Sequence, residues 1–169
     1  SAAATMLWPV SAVWGVVAGR KMDRAPQLRP PVPVVCVGNF VAGGAGKTPT
    51  ALALARLLLD RGERPFALTR GYGGRLRGPV QVDPARHDPA ETGDEPLLLA
   101  SCLPTIVSRD RVAGAALARS LGASIVLMDD GLQNPSLRKD LRIAVVDAPV
   151  GVGNGLCLPA GPLRAPLAQ

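Results

Sequence analysis

Residues 34–61 read VVCVGNFVAGGAGKTPTALALARLLLDR, and this stretch decides the fold. Its first four residues form an uninterrupted apolar run of strand length, which is typical of a strand buried on both faces of a parallel sheet. A glycine-rich segment follows the strand. Residues 48–61 then have the composition and length of a helix, with Pro49 in the first turn, where a missing N–H costs little. The stretch therefore predicts a strand, a glycine-rich loop and a helix in direct succession.

The glycine-rich loop contains Gly43-Gly44-Ala45-Gly46-Lys47-Thr48. Glycines allow backbone N–H groups to wrap around a phosphate group, and the N-terminus of the helix adds a favourable dipole. Lys47 is placed to reach the β- and γ-phosphates, and the hydroxyl of Thr48 to bind Mg²⁺. The strict pattern GxxxxGK[ST] requires glycine at position 41, where this chain has Val41. We therefore interpret the loop as an atypical P-loop that binds phosphate groups.

Strand and helix patterns alternate along the rest of the chain. Strands are predicted at residues 65–69, 105–107, 124–128 and 143–146, and helices at 94–103 and 109–121. Residues 70–92, rich in Gly, Pro and charge, are expected to be irregular. Alternation at this spacing implies βαβ units, and hence an α/β fold of the P-loop NTPase kind with a mostly parallel sheet and helices on both faces. We assign this domain to residues 32–169, after a proline-rich joint.

The N-terminal segment, residues 1–24, is a separate unit. Its apolar part, residues 6–19, is followed by RKMDR and is shorter than the ~18–20 residues that span a bilayer. No basic segment precedes it, as one would in a secretory signal peptide. Trp8, Trp14 and the basic flank favour a helix that lies in a membrane interface. A helix packed on its own domain is the alternative, and the sequence leaves both open.

Composition excludes several classes of protein. A hydrophobic share of 47% and a charged share of 19% exclude a disordered chain. Cys36, Cys102 and Cys157 form no CxxC pair, which argues against a disulfide scaffold or a structural zinc site, and we expect them to be small core residues. The net charge of +6 suits an anionic partner. Nucleic acid is not expected, because only 3% of residues are aromatic and no run of Lys and Arg occurs.

Acidic pairs and one arginine complete the candidate residues. Asp129 and Asp130 end an apolar strand, where a P-loop fold places acids that hold Mg²⁺ directly or through water. Asp94 and Glu95 open a helix; taken alone they are best interpreted as a cap, although a carboxylate near a γ-phosphate could accept a proton from an attacking hydroxyl. Arg164 ends a rigid loop, residues 153–164, and is either a phosphate ligand or a surface residue. We call residues 153–164 the arginine loop.

Read together, these motifs resemble the tetraacyldisaccharide 4'-kinases. The blocks that carry the resemblance occur in that family's order: Gly38-Asn39, Gly43-Gly44-Ala45-Gly46-Lys47-Thr48-Pro49, Arg70-Gly71-Tyr72-Gly73-Gly74, Gly93-Asp94-Glu95-Pro96, Asp129-Asp130-Gly131-Leu132-Gln133, and Gly153-Asn154-Gly155 through Gly161-Pro162-Leu163-Arg164. The resemblance implies transfer of the γ-phosphate of ATP to the 4'-hydroxyl of a tetraacylated disaccharide 1-phosphate. It also implies a peripheral location on the cytoplasmic face of the bacterial inner membrane.

The resemblance further implies a role for each candidate residue. ATP is bound by Gly43, Gly44, Ala45, Gly46, Lys47 and Thr48. Mg²⁺ is bound by Thr48, Glu95, Asp129 and Asp130. The acceptor sugar faces Arg70 and Tyr72. The catalytic residues are Asp94 as acid–base, Lys47, and Arg164 on the phosphates. These implications change the preferred role of Asp94 from cap to catalyst, and they favour membrane binding for the N-terminal helix.

The sequence also departs from that family. Asn134 stands where its members often carry histidine, and Ala165 where many carry glutamate. Members are considerably longer, so we expect a chain that begins at Ser1 and stops at Gln169 to be a fragment. Two other functions remain open: a membrane-associated P-loop switch ATPase, whose loop normally has lysine where this chain has Ala42, and a non-catalytic nucleotide-binding protein.

Overall fold

The computed structural model of the chain describes residues 2–23, 28–44 and 46–167. Its helices and strands, in chain order, are α1 (Ala2–Asp23), β1 (Val34–Gly38), α2 (Lys47–Leu59), β2 (Pro65–Thr69), β3 (Val80–Gln81), α3 (Pro89–Thr92), α4 (Asp94–Ala100), β4 (Thr105–Val107), α5 (Arg111–Ser120), β5 (Ile125–Asp129) and β6 (Leu141–Ala144).

The strands form one sheet in the order β3-β4-β2-β5-β1-β6. All neighbours are parallel except β3, which pairs antiparallel with β4 at one edge. The predicted mostly parallel sheet is therefore confirmed. The apolar run that opens the deciding stretch became β1, which pairs with β5 on one side and β6 on the other. The loop after β1 therefore starts between two neighbouring strands, β5 and β6, and not at an edge of the sheet.

Helices cover both faces of the sheet, as the alternating pattern predicted. On one face, Ala115 and Ala118 of α5 pack on strand residues that include Cys36, Leu68 and Met128. On the other face, Ala55 of α2 and Leu99 of α4 pack on side chains that point the opposite way from the same strands. Alternating strand residues therefore contribute to two separate cores, as expected where a sheet is buried on both sides.

The structure differs from the sequence prediction between β2 and α4. Residues 70–92 are not irregular throughout, because they contain the short strand β3 and the short helix α3. The Asp88 side chain accepts a hydrogen bond from the Glu91 N–H, and the Glu91 side chain accepts one from the Asp88 N–H. This capping box stabilises a single helical turn that is too short to produce a recognisable periodic pattern.

The prediction for the cysteines is wrong at Cys102. Cys36 and Cys157 are buried, but Cys102 is exposed, because α4 ends at Ala100 and the following turn faces solvent. Burial raises the pKa of the Cys36 thiol to about 11, which makes it a poor nucleophile near neutral pH.

Helix α1 packs on the domain through one narrow stripe. Ser11, Gly15 and Gly19 are buried, whereas Trp8 and Trp14 are about half exposed. The Ser11 hydroxyl donates to the Cys157 carbonyl at 2.6 Å. The alternative that α1 packs on its own domain is thus confirmed for this stripe, and its membrane contact stays a prediction. None of the helices in the described ranges is long and apolar enough to cross a bilayer.

Candidate functional site

The candidate residues lie at the carboxyl edge of the sheet. Lys47 follows β1, Arg70 follows β2, and Asp129 is the last residue of β5. Because β2, β5 and β1 are parallel neighbours, their carboxyl ends lie side by side. Ligands of open α/β sheets bind in the crevice outside these ends, where the strand order reverses.

The glycine-rich loop adopts a backbone that only glycine tolerates well. Gly43 has a φ of 123° and Gly46, the residue before α2, a φ of 77°. A Cβ atom at either position would meet no neighbouring atom, so conformation and not space requires glycine there. Lys47 is buried and its Nζ donates to the Gly43 carbonyl at 3.3 Å. Gly44 is exposed, and Ala45, also predicted to bind nucleotide, lies outside the described residues.

A buried amide supports this loop. The Nδ2 of Asn39, which is fully buried, donates to the same Gly43 carbonyl at 3.0 Å. The Gln133 side chain donates to the Asn39 carbonyl at 3.1 Å. Neither residue was assigned a role from the sequence. Both stand in blocks that carry the family resemblance, and Asn39 also had the signal of a polar residue directly after a buried strand.

Helix α4 brings its acidic pair to the glycine-rich loop, residues 43–48, which we call the phosphate loop after its predicted ligand. The Thr48 hydroxyl donates to Glu95 Oε1 at 2.6 Å, which joins the first turns of α2 and α4. Gly93, not Asp94, is the capping residue of α4, and no side chain caps this helix. Asp94 is exposed, and no other described side chain is hydrogen-bonded or ion-paired with it. Asp94 therefore makes no capping hydrogen bond, although its charge in the first turn suits the helix dipole as predicted, and its carboxylate has no side-chain partner within the described residues.

Asp129 is a buried carboxylate without hydrogen bonds. Its side chain is 2% exposed, and neither carboxylate oxygen has a partner among the described residues. Burial raises the pKa of Asp129 to about 7, the negative charges of Glu95 and Asp130 add to this, and Lys47 and Arg111 oppose it. A buried polar group without a partner is costly and uncommon, so this carboxylate points to a cation as its missing partner.

Arg164 is not a surface arginine. Its Nη1 donates to both carboxylate oxygens of Asp130 at 2.8 Å, and its Nε donates to the Val41 carbonyl at 3.1 Å. Its backbone N–H donates to the Phe40 carbonyl at 2.9 Å. The arginine loop is thereby fixed to the start of the phosphate loop and to the acid that follows β5, with the guanidinium beside the crevice.

Arg111 is a site residue that sequence reasoning missed. It is 3% exposed, and its Nη1 donates to the Ser108 carbonyl at 3.2 Å. Burial lowers the pKa of Arg111 to about 10, and the charge of Arg70 lowers it further, while Asp129 opposes the shift. Arg111 therefore adds buried positive charge near the acids. It follows a helix cap, Asp110, and no sequence pattern distinguishes it from a surface arginine.

The predicted acceptor residues stand beside Asp94. A Cβ atom at Gly93 would collide with the Tyr72 carbonyl oxygen, so the turn that carries Tyr72 packs directly on the start of α4. The Tyr72 side chain is 89% exposed, and Arg70 is exposed as well. Both side chains are thus free to contact a molecule that approaches Asp94 from solvent.

The oxygen-rich residues fit a hard divalent cation. Thr48, Glu95, Asp129 and Asp130 offer only oxygen ligands, which Mg²⁺ prefers. No group of three or more His, Cys, Asp and Glu side chains in the described part of the chain could hold a metal alone. Mg²⁺ usually takes one or two carboxylates together with phosphates and water. The unpartnered carboxylate of Asp129 therefore suits a cation that arrives with a nucleotide.

The arrangement as a whole has the parts of a phosphoryl-transfer site. Backbone N–H groups, the N-terminus of α2 and Lys47 offer positive charge to phosphates. Asp94 is an unpaired carboxylate at the rim, free to accept a proton. Positioning and electrostatic stabilisation are the main requirements of phosphoryl transfer, and these residues supply both.

The chain is similar to known proteins over nearly its whole length. Residues 3–169 match the family described as Tetraacyldisaccharide-1-P 4'-kinase. The chain is 65% identical over 167 residues to the tetraacyldisaccharide 4'-kinase of Methylobacterium radiotolerans, covering 99% of this chain and 51% of that protein. It is 62% identical over 163 residues to the enzyme of that name from Rhodopseudomonas palustris, covering 96% of this chain and 47% of the relative.

A solved structure is similar throughout the chain. The crystal structure of LpxK from Aquifex aeolicus in complex with ATP superposes with a TM-score of 0.85 at 32% identity, covering 98% of this chain and 55% of that one. The chain thus spans about half the length of the curated relatives it matches. Since the family match extends over nearly all its residues, the chain belongs to the tetraacyldisaccharide-1-P 4'-kinase family.

Proposed function

We propose that the chain provides the nucleotide-binding and phosphoryl-transfer part of a tetraacyldisaccharide 4'-kinase, with ATP and Mg²⁺ as cofactors. The observation that carries this proposal is the Thr48–Glu95 hydrogen bond of 2.6 Å. It joins the phosphate loop to the helix turn that presents the free carboxylate of Asp94. A site for nucleotide phosphates and a candidate base are thereby held together in one rigid unit.

Nucleotide binding requires a small rearrangement of the phosphate loop. Lys47 now donates to the Gly43 carbonyl and would leave it for the β- and γ-phosphates. Asn39 remains on that carbonyl, so the Gly43 oxygen keeps one hydrogen-bond donor. The N-terminus of α2 adds its positive dipole to the same phosphates.

The acceptor side of the reaction is assigned to Asp94. Its carboxylate accepts the proton of the acceptor's 4'-hydroxyl as that oxygen forms the new bond to the γ-phosphorus. The bond between this phosphorus and the bridging oxygen breaks, and ADP leaves with the electron pair.

The metal and Arg164 act on the phosphate charges. Mg²⁺ would be held by Thr48, Glu95, Asp129 and Asp130, and when bound it neutralises charge on the phosphates. Arg164 is close enough to Asp130 to add positive charge there.

Arg70 and Tyr72 are proposed to contact the acceptor disaccharide. Both are exposed, and the turn that carries Tyr72 packs against Gly93, immediately before Asp94. An aromatic ring and a guanidinium suit a phosphorylated sugar, because the ring packs on apolar faces and the guanidinium pairs with anionic groups.

We also propose that α1 contacts a membrane surface, on the cytoplasmic face of the inner membrane. Its large side chains point away from the domain: Met6 is 82% exposed and Val13 is 65% exposed. Arg20, at the end of the apolar segment, is exposed as well. An exposed apolar helix with tryptophans and a basic end is typical of interfacial binding, and it would bring the site to a lipid acceptor.

The kinase proposal is tested with γ-labelled ATP, Mg²⁺ and tetraacyldisaccharide 1-phosphate. We expect labelled lipid from the chain, and a loss of ATP affinity of roughly 10- to 100-fold in Lys47→Ala, because a charge-assisted hydrogen bond is removed. Arg56→Ala, at the exposed end of α2, serves as the control. ATP hydrolysis without labelled lipid would instead indicate a switch ATPase, and nucleotide binding without either reaction a non-catalytic protein.

Asp94→Asn should lower turnover by roughly a hundredfold or more while ATP affinity changes little, because a base acts mainly in the transition state. Rates and nucleotide affinity are measured on the same preparation. Asp110→Asn, which removes part of the cap of α5, should change stability and leave turnover intact. Equal losses of turnover and ATP affinity in Asp94→Asn would contradict the catalytic assignment.

Asp129→Asn should raise the melting temperature of the metal-free chain by a few degrees at pH 8. In a chain of this size, each kcal/mol added to the free energy of unfolding raises the melting temperature by about 2–4 °C. The raised pKa of Asp129 means that its contribution to stability is present below its ordinary pKa and is lost as pH rises through about 7. The difference in melting temperature between Asp129→Asn and the native chain should therefore be smaller at pH 5 than at pH 8. Exposed Asp60→Asn is the control, and an advantage independent of pH would contradict the prediction.

Removal of residues 1–24 should abolish flotation with vesicles of phosphatidylcholine and phosphatidylglycerol. Val13→Asp should weaken flotation as well, because it places a charge on the exposed face and leaves the buried stripe intact. Partitioning that is unchanged in both variants would exclude α1 as the membrane contact.

A further inference from the structure

The buried face of α1 contacts the arginine loop. Ser11 donates to the carbonyl of Cys157, and Gly15 lies against the Cys157 sulfur and the ring of Pro166. The N–H of the Trp14 indole donates to the carbonyl oxygen of Arg164 at 3.2 Å. A helix whose only task was to bind lipid would not need directional hydrogen bonds to this loop.

Arg164 connects that contact to the nucleotide site. Its own N–H donates to Phe40, its Nε to Val41 and its Nη1 to Asp130. The peptide groups on both sides of its Cα are therefore hydrogen-bonded, one to Phe40 in the segment that follows β1 and the other to Trp14 of α1. The direction of the guanidinium depends on both.

The arginine loop is held by hydrogen bonds of its own: the Leu158 N–H donates to the Leu163 carbonyl at 2.9 Å, and the Gly161 N–H donates to the Cys157 carbonyl at 3.0 Å. It contains no helix or strand, and its sheet-like contacts are the isolated bridges of Leu163 with Val41 and with Cys157. The shape of the loop is thus set internally, and its position beside the phosphate loop is set by hydrogen bonds with other segments, of which α1 supplies those of Ser11 and Trp14.

We infer that Trp14 is a positioning residue for Arg164, so that α1 supports the nucleotide site in addition to exposing an apolar face. The inference rests on the proposed nucleotide binding. It differs from a pure membrane-anchor role in one respect: loss of the Trp14 hydrogen bond should weaken nucleotide binding in solution, with no lipid present.

The chain offers a matched pair of variants for the test. Trp14→Phe keeps an aromatic ring and removes the N–H donor. Trp8→Phe makes the same change six residues earlier on α1, at a side chain that donates no hydrogen bond to the described part of the arginine loop. The affinity for a fluorescent ATP analogue with Mg²⁺ is measured in lipid-free buffer. We expect binding roughly 2- to 10-fold weaker in Trp14→Phe and unchanged in Trp8→Phe. Equal affinities in the two variants would overturn the inference.

Amide hydrogen exchange provides a readout that needs no nucleotide. The Ala42 N–H donates to the Pro162 carbonyl at 2.8 Å and the Arg164 N–H to the Phe40 carbonyl at 2.9 Å. Both amides should exchange faster in Trp14→Phe than in Trp8→Phe, while Ile106 in β4 stays unchanged. If the native chain binds no ATP analogue, the proposed function fails while exchange still tests Trp14. Unchanged exchange at Ala42 and Arg164 would overturn the route through Arg164, whatever the affinities.

Discussion

The carboxylate of Asp129 is the constraint around which the site is arranged. It ends a strand whose neighbours on both sides are parallel, and it carries its charge into a region where water does not reach it. Lys47 and Arg111 offset part of that charge, but neither donates a hydrogen bond to it. The folded chain therefore keeps a negative charge at the carboxyl edge of the sheet that is only partly balanced. This unbalanced charge lowers the stability of the fold, and a bound cation would neutralise it.

The hydrogen bonds of the neighbouring residues leave the Asp129 carboxylate without a competing partner among the residues that the structure describes. Glu95 accepts from Thr48, and Asp130 accepts from Arg164, so each of these acids has a hydrogen-bond partner of its own, unlike Asp129. Lys47, whose charge lowers the pKa of Asp129, donates to a backbone carbonyl of its own loop. Each of these interactions is of ordinary strength and can be exchanged for a contact with a nucleotide. Asn39, by contrast, is buried and stays in place.

The sequence was sufficient for the parts of the fold that depend on local pattern. Strand β2 and strand β4 were predicted at their observed bounds, because turn residues flank each short apolar run. Helix α5 begins later than predicted because Asp110 caps it. The roles of Arg111 and Asn39 could not be predicted, since burial and hydrogen-bond partners at the sheet edge depend on contacts between distant segments. The link from Trp14 to Arg164 joins residues 150 positions apart and has no local signal.

Acids at helix starts show how structural and functional roles can be separated physically. Asp88 and Asp110 both precede helices and accept hydrogen bonds from backbone N–H groups there, so both carboxylates already have partners within the fold. Asp94 occupies a similar place in the sequence, yet Gly93 takes the capping position, because the close approach of the Tyr72 carbonyl leaves no room for a side chain there. The glycine thus moves the aspartate one residue into the helix, where its carboxylate faces solvent beside the phosphate loop. A residue type that normally stabilises a helix is in this way left free for chemistry.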